Sequence, residues 1–158
     1  MPNSHRSSSI MMDIPEERTD LKPIPKNNLR KFTKMNLALI PDSVFKSREL
    51  VYLNLSKNKI AHISRDIIGL SKLFLIKMVI DKLKILDLRN NLITEIPHFF
   101  CELGLQEIFL SFNRISRLCL RNFNQGAVRV LHVDGNEFFE LDRSIFGFSA
   151  LENLKLDW

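Results

Sequence analysis

The chain has 158 residues, of which 45% are hydrophobic and 26% are charged, and its net charge is +5. This length fits one domain, and this composition supports a buried core. No apolar run approaches the roughly 18 residues of a membrane-spanning helix. Residues 1–20 also lack the apolar stretch of a secretory signal. The sequence therefore argues against a transmembrane segment and against signal-directed secretion.

The N-terminal segment, residues 1–26, is polar and shows no hydrophobic periodicity. It contains Pro2, Pro15, Pro23 and Pro25. A segment of this composition buries too little apolar surface to compensate for the entropy that ordering would cost. It is expected to be a flexible tail that precedes a folded domain at 27–158.

From residue 27 onward one pattern recurs: an apolar residue is followed by others at +3, +5 and +10, with an asparagine at +8. The copies start 22 or 23 residues apart, except for one interval of 33. A repeat of this length is typical of solenoid proteins, in which each unit buries its apolar face against its neighbours. Complete copies begin at Leu50, Leu83, Leu105 and Val128; a degenerate copy containing Arg30 and Met35 precedes them, and a copy that begins at Leu151 is cut off at Trp158.

Each copy predicts a strand followed by a turn. The alternation of apolar and polar residues in the first half predicts a short strand with one face inward. In the second half, apolar residues such as Ile96, Phe100 and Leu103 have the +4 and +3 spacing of a helical or 3₁₀ turn. An asparagine at the strand exit can donate and accept at once, so a column of them would tie adjacent turns together. This structural column consists of Asn58, Asn91, Asn113 and Asn136.

The long interval between Leu50 and Leu83 indicates an insertion. Removing residues 73–82 restores a 23-residue period. The apolar spacing in this segment suits a helix extended by about three turns, on the convex side and just before a strand. The insertion is a splice or gene-model product without a role of its own, a docking helix on the convex side, or a segment of misassigned register or local disorder.

The pattern L-x-x-L-x-L-x-x-N-x-L resembles that of leucine-rich repeat proteins, specifically the typical 23-residue intracellular class, over residues 27–158. The resemblance implies an α/β fold: a right-handed solenoid whose parallel β-sheet lines a concave face, where partners usually dock. The domain would hold five repeats, the first of them degenerate, and a truncated sixth. Because the last copy stops inside its strand motif without a polar cap, the array is expected to be truncated at the C-terminus.

No chemistry-bearing motif stands out in the sequence. It contains none of the common zinc, phosphate-loop or nucleophile motifs, and its five glycines do not cluster. The histidines, including His62 and His132, are far apart along the chain. We therefore expect a protein that is not an enzyme, with no catalytic residue, no cofactor, no metal site and no small-molecule substrate.

The outward positions of the predicted strands form the candidate partner surface. Exposed apolar groups are rare on such a face, so Tyr52, Ile85, Phe109 and Val130 are expected to form the centre of a contact. The alternative is that they only cover neighbouring strands. Phe109→Asp is expected to abolish partner capture without lowering the melting temperature. The full partner-binding hypothesis comprises Tyr52, Ile85, Asp87, Arg89, Phe109, Val130 and His132.

These features favour a non-catalytic protein–protein interaction module or scaffold that binds an unidentified protein through the concave face. One alternative is a truncated isoform or fragment that has no independent binding activity or that self-associates through its uncapped C-terminal repeat. Another is weak binding of RNA or an anionic membrane by the basic residues of 22–34 and 57–89. Nucleic acid is the less favoured partner, because the charges are spread and lack interleaved aromatic residues.

The two cysteines bear on the cellular compartment. Cys101 and Cys119 lie in different repeats, with no cysteine cluster at either end. Extracellular members of the leucine-rich repeat family usually carry cysteine-rich caps, so the resemblance implies an intracellular, cytoplasmic protein. The two thiols are expected to be reduced and partly buried.

Overall fold

The computed structural model describes residues 24–46, 49–63, 82–140, 145 and 147–157. Within these ranges the chain forms one sheet of six strands in sequence order, and every neighbouring pair is parallel. This arrangement confirms the predicted solenoid with a parallel sheet. The strands are β1 (Leu29–Lys31), β2 (Tyr52–Asn54), β3 (Ile85–Asp87), β4 (Glu107–Phe109), β5 (Val130–His132) and β6 (Asn153–Lys155).

The helical part of the described residues consists of short 3₁₀ helices. Two of them fall where the apolar spacing predicted a turn, and their inward residues Val44 and Phe100 are buried. Segments this short complete one or two turns, for which i to i+3 hydrogen bonding suffices. The 3₁₀ helices span Lys26–Asn28, Asp42–Lys46, His98–Glu102 and Leu120–Asn122.

The strand register places equivalent positions of successive repeats side by side. Tyr52 of β2 is opposite Ile85 of β3, although 33 positions separate them, against 22 or 23 for the other neighbouring pairs. The longer interval therefore adds no strand between β2 and β3. The insertion predicted at 73–82 lies outside the described residues except for Lys82, whose ammonium group is 2.6 Å from a carboxylate oxygen of Glu49.

One face of the sheet covers the main hydrophobic core. The middle residues of the strands, such as Leu53, Leu86 and Leu131, are almost completely buried there. Each large apolar side chain contributes about 1.5–3 kcal/mol when it leaves water, so this core dominates the stability of the array. Aromatic rings extend the core beneath the turns: Phe123 lies 5.9 Å from Phe100 and 6.2 Å from Phe148, measured between ring centroids.

The four asparagines of the structural column connect neighbouring turns through their side-chain amides. In Asn91, Oδ1 accepts from the backbone N–H of Ile60 at 3.1 Å. Its Nδ2 donates to the carbonyl oxygens of Leu55, in the preceding repeat, and Leu88, in its own, at 3.1 and 2.9 Å. The amides satisfy backbone groups that have left the strand ladder. The other three repeat this pattern.

The two edges of the described sheet differ. At β1, Arg30 takes a position that is apolar in other repeats, and its guanidinium donates to the carbonyl oxygen of Leu29 at 3.0 Å. At β6, the core-side residue Leu154 is 38% exposed. Ile24, which precedes the predicted domain boundary at residue 27, packs against residues of the sheet. No helix in the described ranges is long and apolar enough to cross a bilayer.

Candidate partner-binding face

The residues of the partner-binding hypothesis lie on the face of the sheet that points away from the main core, which we call the concave face. Alternation along each strand explains their position, because residues on either side of a core-facing leucine or isoleucine point to the opposite face. Strands β2 to β5 carry six of the seven, and Arg89 follows β3 by two positions. The register aligns them in two adjacent columns, Tyr52, Ile85 and Val130 in one and Asp87, Phe109 and His132 in the other.

Three apolar residues on this face form a second hydrophobic cluster, separate from the main core. Tyr52, Ile85 and Phe109 are 0%, 2% and 2% exposed. Ile24, Leu29 and Val130 are partly buried and pack against them, and we call these six residues the concave cluster. The expectation that Tyr52, Ile85 and Phe109 are exposed is therefore wrong. Tyr52 and Ile85 are paired across neighbouring strands, which lie about 4.8 Å apart, and Phe109 belongs to the same cluster from the next strand.

The burial of Phe109 also corrects the expectation for Phe109→Asp. A carboxylate at this position would lie within the concave cluster, and burial of an unpaired charge is costly. The substitution is therefore expected to lower the melting temperature. It cannot separate loss of partner binding from loss of stability.

A buried ion pair lies beside the concave cluster. The side chain of Asp87 is 0% exposed, and that of Arg89 is 30% exposed. Arg89 donates from Nε to Oδ1 at 3.0 Å and from Nη2 to Oδ2 at 2.7 Å, and its backbone N–H also donates to Oδ1. This paired geometry holds a carboxylate that burial would otherwise penalise.

Arg89 connects the ion pair to aromatic residues farther along the sheet. Its guanidinium carbon lies 5.4 Å from the centroid of the Phe109 ring. The Phe109 ring meets the His132 ring edge-on at a centroid distance of 5.0 Å. Nε2 of His132 lies 3.2 Å from Oδ1 of Asn153. Asp87, Arg89, Phe109, His132 and Asn153 thus form a continuous series of contacts from β3 to β6, which we call the concave row.

Two buried polar residues on this face were not part of the partner-binding hypothesis. Asn54 is buried; its Nδ2 donates to the hydroxyl oxygen of Tyr52 at 3.0 Å, and its Oδ1 accepts from the backbone N–H of Ser56. Glu107 is also buried, in the column of Ile85. Both occupy outward strand positions that the repeat pattern identifies. Ile24 carried no such signal, because it lies in the segment that the sequence assigned to the tail.

Next to the concave row, Phe112 is 57% exposed and has a φ of 58°. Its ring lies over Gly135 of the next repeat, where an added Cβ would come within 2.5 Å of Cδ1. The glycine therefore provides the space for the ring. Below it, the backbone N–H of Gly135 donates to Asp157 at 2.6 Å, and the hydroxyl of Ser111 donates to Asp134.

Groups that could hold a metal or react are sparse in the described part of the chain. There, no three His, Cys, Asp or Glu side chains lie together in a metal-binding arrangement. Cys101 and Cys119 are both free and exposed, which corrects the expectation of partly buried thiols. The Sγ–H of Cys101 donates to the carbonyl oxygen of His98 at 3.1 Å.

Comparisons with known proteins agree with this architecture. The Leucine Rich Repeat family model matches residues 82–103. A solved leucine-rich repeat protein of Leptospira interrogans is similar over 77% of this chain and 29% of its own, with a TM-score of 0.63 and 24% identity. An internalin, InlF, of Listeria monocytogenes is similar over 76% of this chain and 38% of its own, with a TM-score of 0.52 and 18% identity.

The chain has the leucine-rich repeat fold. The family match lies on the repeat that contains β3, Asn91 and the 3₁₀ helix His98–Glu102, where strand, asparagine and turn are all regular. At these levels of identity the two solved structures establish the shared fold alone. The chain spans 29% and 38% of their lengths, so a leucine-rich repeat array of this size corresponds to only part of either protein.

Proposed function

We propose that this leucine-rich repeat chain is a non-catalytic protein-interaction module that binds a protein partner through its concave face. Leucine-rich repeat proteins typically serve as protein-interaction modules. The observation that carries the proposal here is the concave row, in which Asp87, Arg89, Phe109 and His132 contact one another across three strands. Such a prearranged surface loses little side-chain entropy when a partner binds.

The composition of this face suits a protein partner. Interface centres are enriched in Arg and in aromatic residues and are surrounded by polar groups. The concave row supplies the partly exposed Arg89, which lies over the buried ring of Phe109, and half-buried Asn153 and exposed Lys155 lie at its β6 end. A partner would therefore contact the accessible part of Arg89 together with Asn153 and Lys155 of β6.

Site-specific photocrosslinking can test the proposal while the partner is still unidentified. A photoreactive amino acid replaces Lys155 on β6 in one full-length variant and Arg121, in the 3₁₀ helix Leu120–Asn122, in a second. Each variant is irradiated in a cell extract, and the adducts are identified by mass spectrometry. We expect a defined protein adduct from position 155 and none from position 121, and the opposite result would place binding on the convex side.

A matched pair of charge reversals then tests whether the face determines affinity. Lys155→Glu should weaken capture of the crosslinked protein by about tenfold, because reversing an exposed charge at the rim of an interface slows association. Lys59→Glu reverses another exposed lysine, on the turn after Asn58, and should leave capture unchanged. Lys59→Glu should keep the wild-type melting temperature, and the melting temperature of Lys155→Glu is measured beside it so that a loss of stability is not mistaken for a loss of binding.

We consider self-association through β6 as a second candidate function, because Leu154 on the core side of this strand is exposed. Continued parallel pairing with β1 of a second copy would place Leu154 opposite Arg30 and Lys155 opposite Lys31, by extension of the observed register. Like charges opposite one another disfavour this arrangement. Light scattering across a concentration series tests the candidate: Leu154→Lys should abolish any dimer that depends on β6, and a dimer that persists excludes this edge.

A further inference from the structure

The concave cluster receives a side chain from outside the sheet. Among its described members, Leu29, Tyr52, Ile85, Phe109 and Val130 belong to strands, whereas Ile24 precedes the first 3₁₀ helix. Ile24 therefore reaches the cluster from the chain segment that enters the first repeat. Ile24 packs against the cluster of Tyr52, Ile85 and Phe109, which are three of the four residues that the partner-binding hypothesis places at the centre of the interface.

The backbone at this point favours the contact. Pro25 has φ −56° and ψ 140°, which is the polyproline II conformation. A proline also restricts the residue before it to extended conformations, so little additional entropy is lost when Ile24 is held against the sheet. The carbonyl oxygen of Pro25 accepts from the backbone N–H of Asn28 at 2.9 Å, which joins this extended stretch to the 3₁₀ helix Lys26–Asn28.

We propose that Ile24 is an intramolecular occupant of the partner-binding face. It fills the position that an aliphatic side chain of an extended partner segment would take, so such a partner must displace it. The chain itself indicates the chemistry of that segment: an isoleucine between two prolines, flanked by Lys22 and Lys26. The part of this proposal that concerns a partner depends on the proposed function, whereas the occupancy by Ile24 does not.

Occupancy of the concave cluster by Ile24 would lower the affinity of the chain for a partner. A partner would bind only the fraction of molecules in which Ile24 has left the cluster, so its apparent affinity falls in proportion to that fraction. Because Ile24 is covalently attached, its local concentration is high, of millimolar order for a short connection. Any change that releases residues 24–26 would then raise the affinity for the partner without altering the concave row.

Tyr52 provides a probe of occupancy that requires no partner. It is the only tyrosine of the chain and is 0% exposed. The rate at which tetranitromethane nitrates Tyr52 in the full chain reports how often the cluster opens. Ile24→Asp should raise this rate about tenfold, since local opening limits access to a buried group. Lys26→Asp, two residues away and exposed, is the matched control and should leave the rate unchanged.

Two further measurements separate the loss of the Ile24 side chain from unfolding of the chain. Far-UV circular dichroism should show that Ile24→Asp keeps the secondary structure of the wild type. Ile24→Ala, which shortens the side chain without adding a charge, should give a smaller rise in nitration. If a folded Ile24→Asp or Ile24→Ala chain nitrates at the wild-type rate, Ile24 does not control access to the cluster and the proposal is wrong.

A peptide experiment tests whether the vacated site accepts an extended aliphatic segment. The probe is a fluorescent peptide with the sequence of residues 20–28, added to the full-length chain. We expect binding to Ile24→Asp and binding at least about tenfold weaker to the wild type, in which the site is occupied. A peptide that carries Ile24→Asp should bind neither. Equal affinity of the peptide for the wild type and for Ile24→Asp would show that Ile24 does not compete for the site. Failure to find a protein partner of the concave face would overturn the proposed function but would not affect the nitration result.

Discussion

Arg89 holds the buried carboxylate of Asp87 with two side-chain hydrogen bonds, 3.0 Å from Nε to Oδ1 and 2.7 Å from Nη2 to Oδ2. The same guanidinium lies over Phe109 at 5.4 Å. One side chain thus satisfies a buried charge of β3 and contacts an aromatic ring of β4. Arg89 therefore couples the polar and aromatic parts of the concave face, and a substitution of Arg89 should alter the surroundings of both Asp87 and Phe109.

Arg89→Ala should lower the free energy of unfolding by about 2 kcal/mol, since it removes charge-assisted bonds to a carboxylate that stays buried. Arg89→Lys, which keeps the charge but not the paired geometry, should cost less. Urea denaturation measures both. In Asp87→Asn/Arg89→Ala the loss should be smaller than the sum of the two single losses, and simple additivity would show that the pair is not coupled.

The asparagine column offers a comparison between the middle and the end of the array. Asn91→Ala would leave the buried N–H of Ile60 without its side-chain acceptor, and it would remove one donor each from the carbonyl oxygens of Leu55 and Leu88, which still accept from Asn58 and Asn113. We expect a loss of about 3 kcal/mol, because the unsatisfied buried N–H costs roughly 1–3 kcal/mol and each of the two lost hydrogen bonds to the carbonyl oxygens contributes about 0.5–1.5 kcal/mol. Thermal or urea unfolding of the purified chain measures it.

Asn136→Ala provides the matched control for that prediction. Asn136 makes the same set of bonds but is only half-buried. Water can replace some of its lost partners, so its loss of stability should be clearly smaller than that of Asn91→Ala. Equal losses at the two positions would mean that the cost comes from the turn geometry and not from buried unsatisfied groups.

Much of this architecture could be predicted because it follows from local periodicity. Leu53, Leu86 and Leu131 face the core since strand alternation leaves them no other side, and Asn91 connects turns because its amide both donates and accepts. The repeat pattern also located the outward positions of the candidate partner-binding face. These features depend on spacing within one repeat and on stacking between neighbours.

The exposure of the concave residues could not be predicted in the same way. Tyr52 and Phe109 are outward by alternation, but their burial depends on the lateral packing of adjacent strands and on Ile24 from a polar, proline-containing segment. The bond between Ser111 and Asp134 likewise joins residues of different repeats, with no signal in either repeat alone. A periodic pattern does not predict contacts that differ from one repeat to the next.

The ion pair of Arg129 and Glu152 predicts a small pH dependence of stability. A hydrogen bond from Arg129, assisted by its charge, lowers the pKa of the Glu152 carboxyl from its ordinary value of 4.5, although desolvation acts in the opposite direction. A carboxyl whose pKa is lower in the folded state stabilises the fold above its unfolded pKa. This contribution is lost as the pH falls through the folded pKa. The window therefore lies below about pH 4.5.

Comparison of the wild type with Glu152→Gln isolates that contribution. The wild type should have the higher melting temperature at neutral pH, and the difference should shrink as the pH falls below 4.5. The effect should be small and should weaken with added salt, since the pair is exposed at the surface. A difference that grows on acidification would contradict the assigned direction of the pKa shift.

Gly135 and Phe112 allow backbone strain to be separated from side-chain contact. Gly135 has a φ of 63°, and an added Cβ would lie 2.5 Å from Cδ1 of the Phe112 ring. Gly135→Ala should therefore destabilise the chain by more than the roughly 1 kcal/mol typical of alanine at positive φ, because the ring must also move. In the background of Phe112→Ala the same substitution meets no ring, so only the strain remains. Urea unfolding of the wild type, the two single variants and the double variant gives the coupling energy. A smaller cost of Gly135→Ala in the Phe112→Ala background would assign the difference to the ring. Equal costs would show that the exposed ring moves aside freely and that Gly135 is needed for its backbone conformation alone.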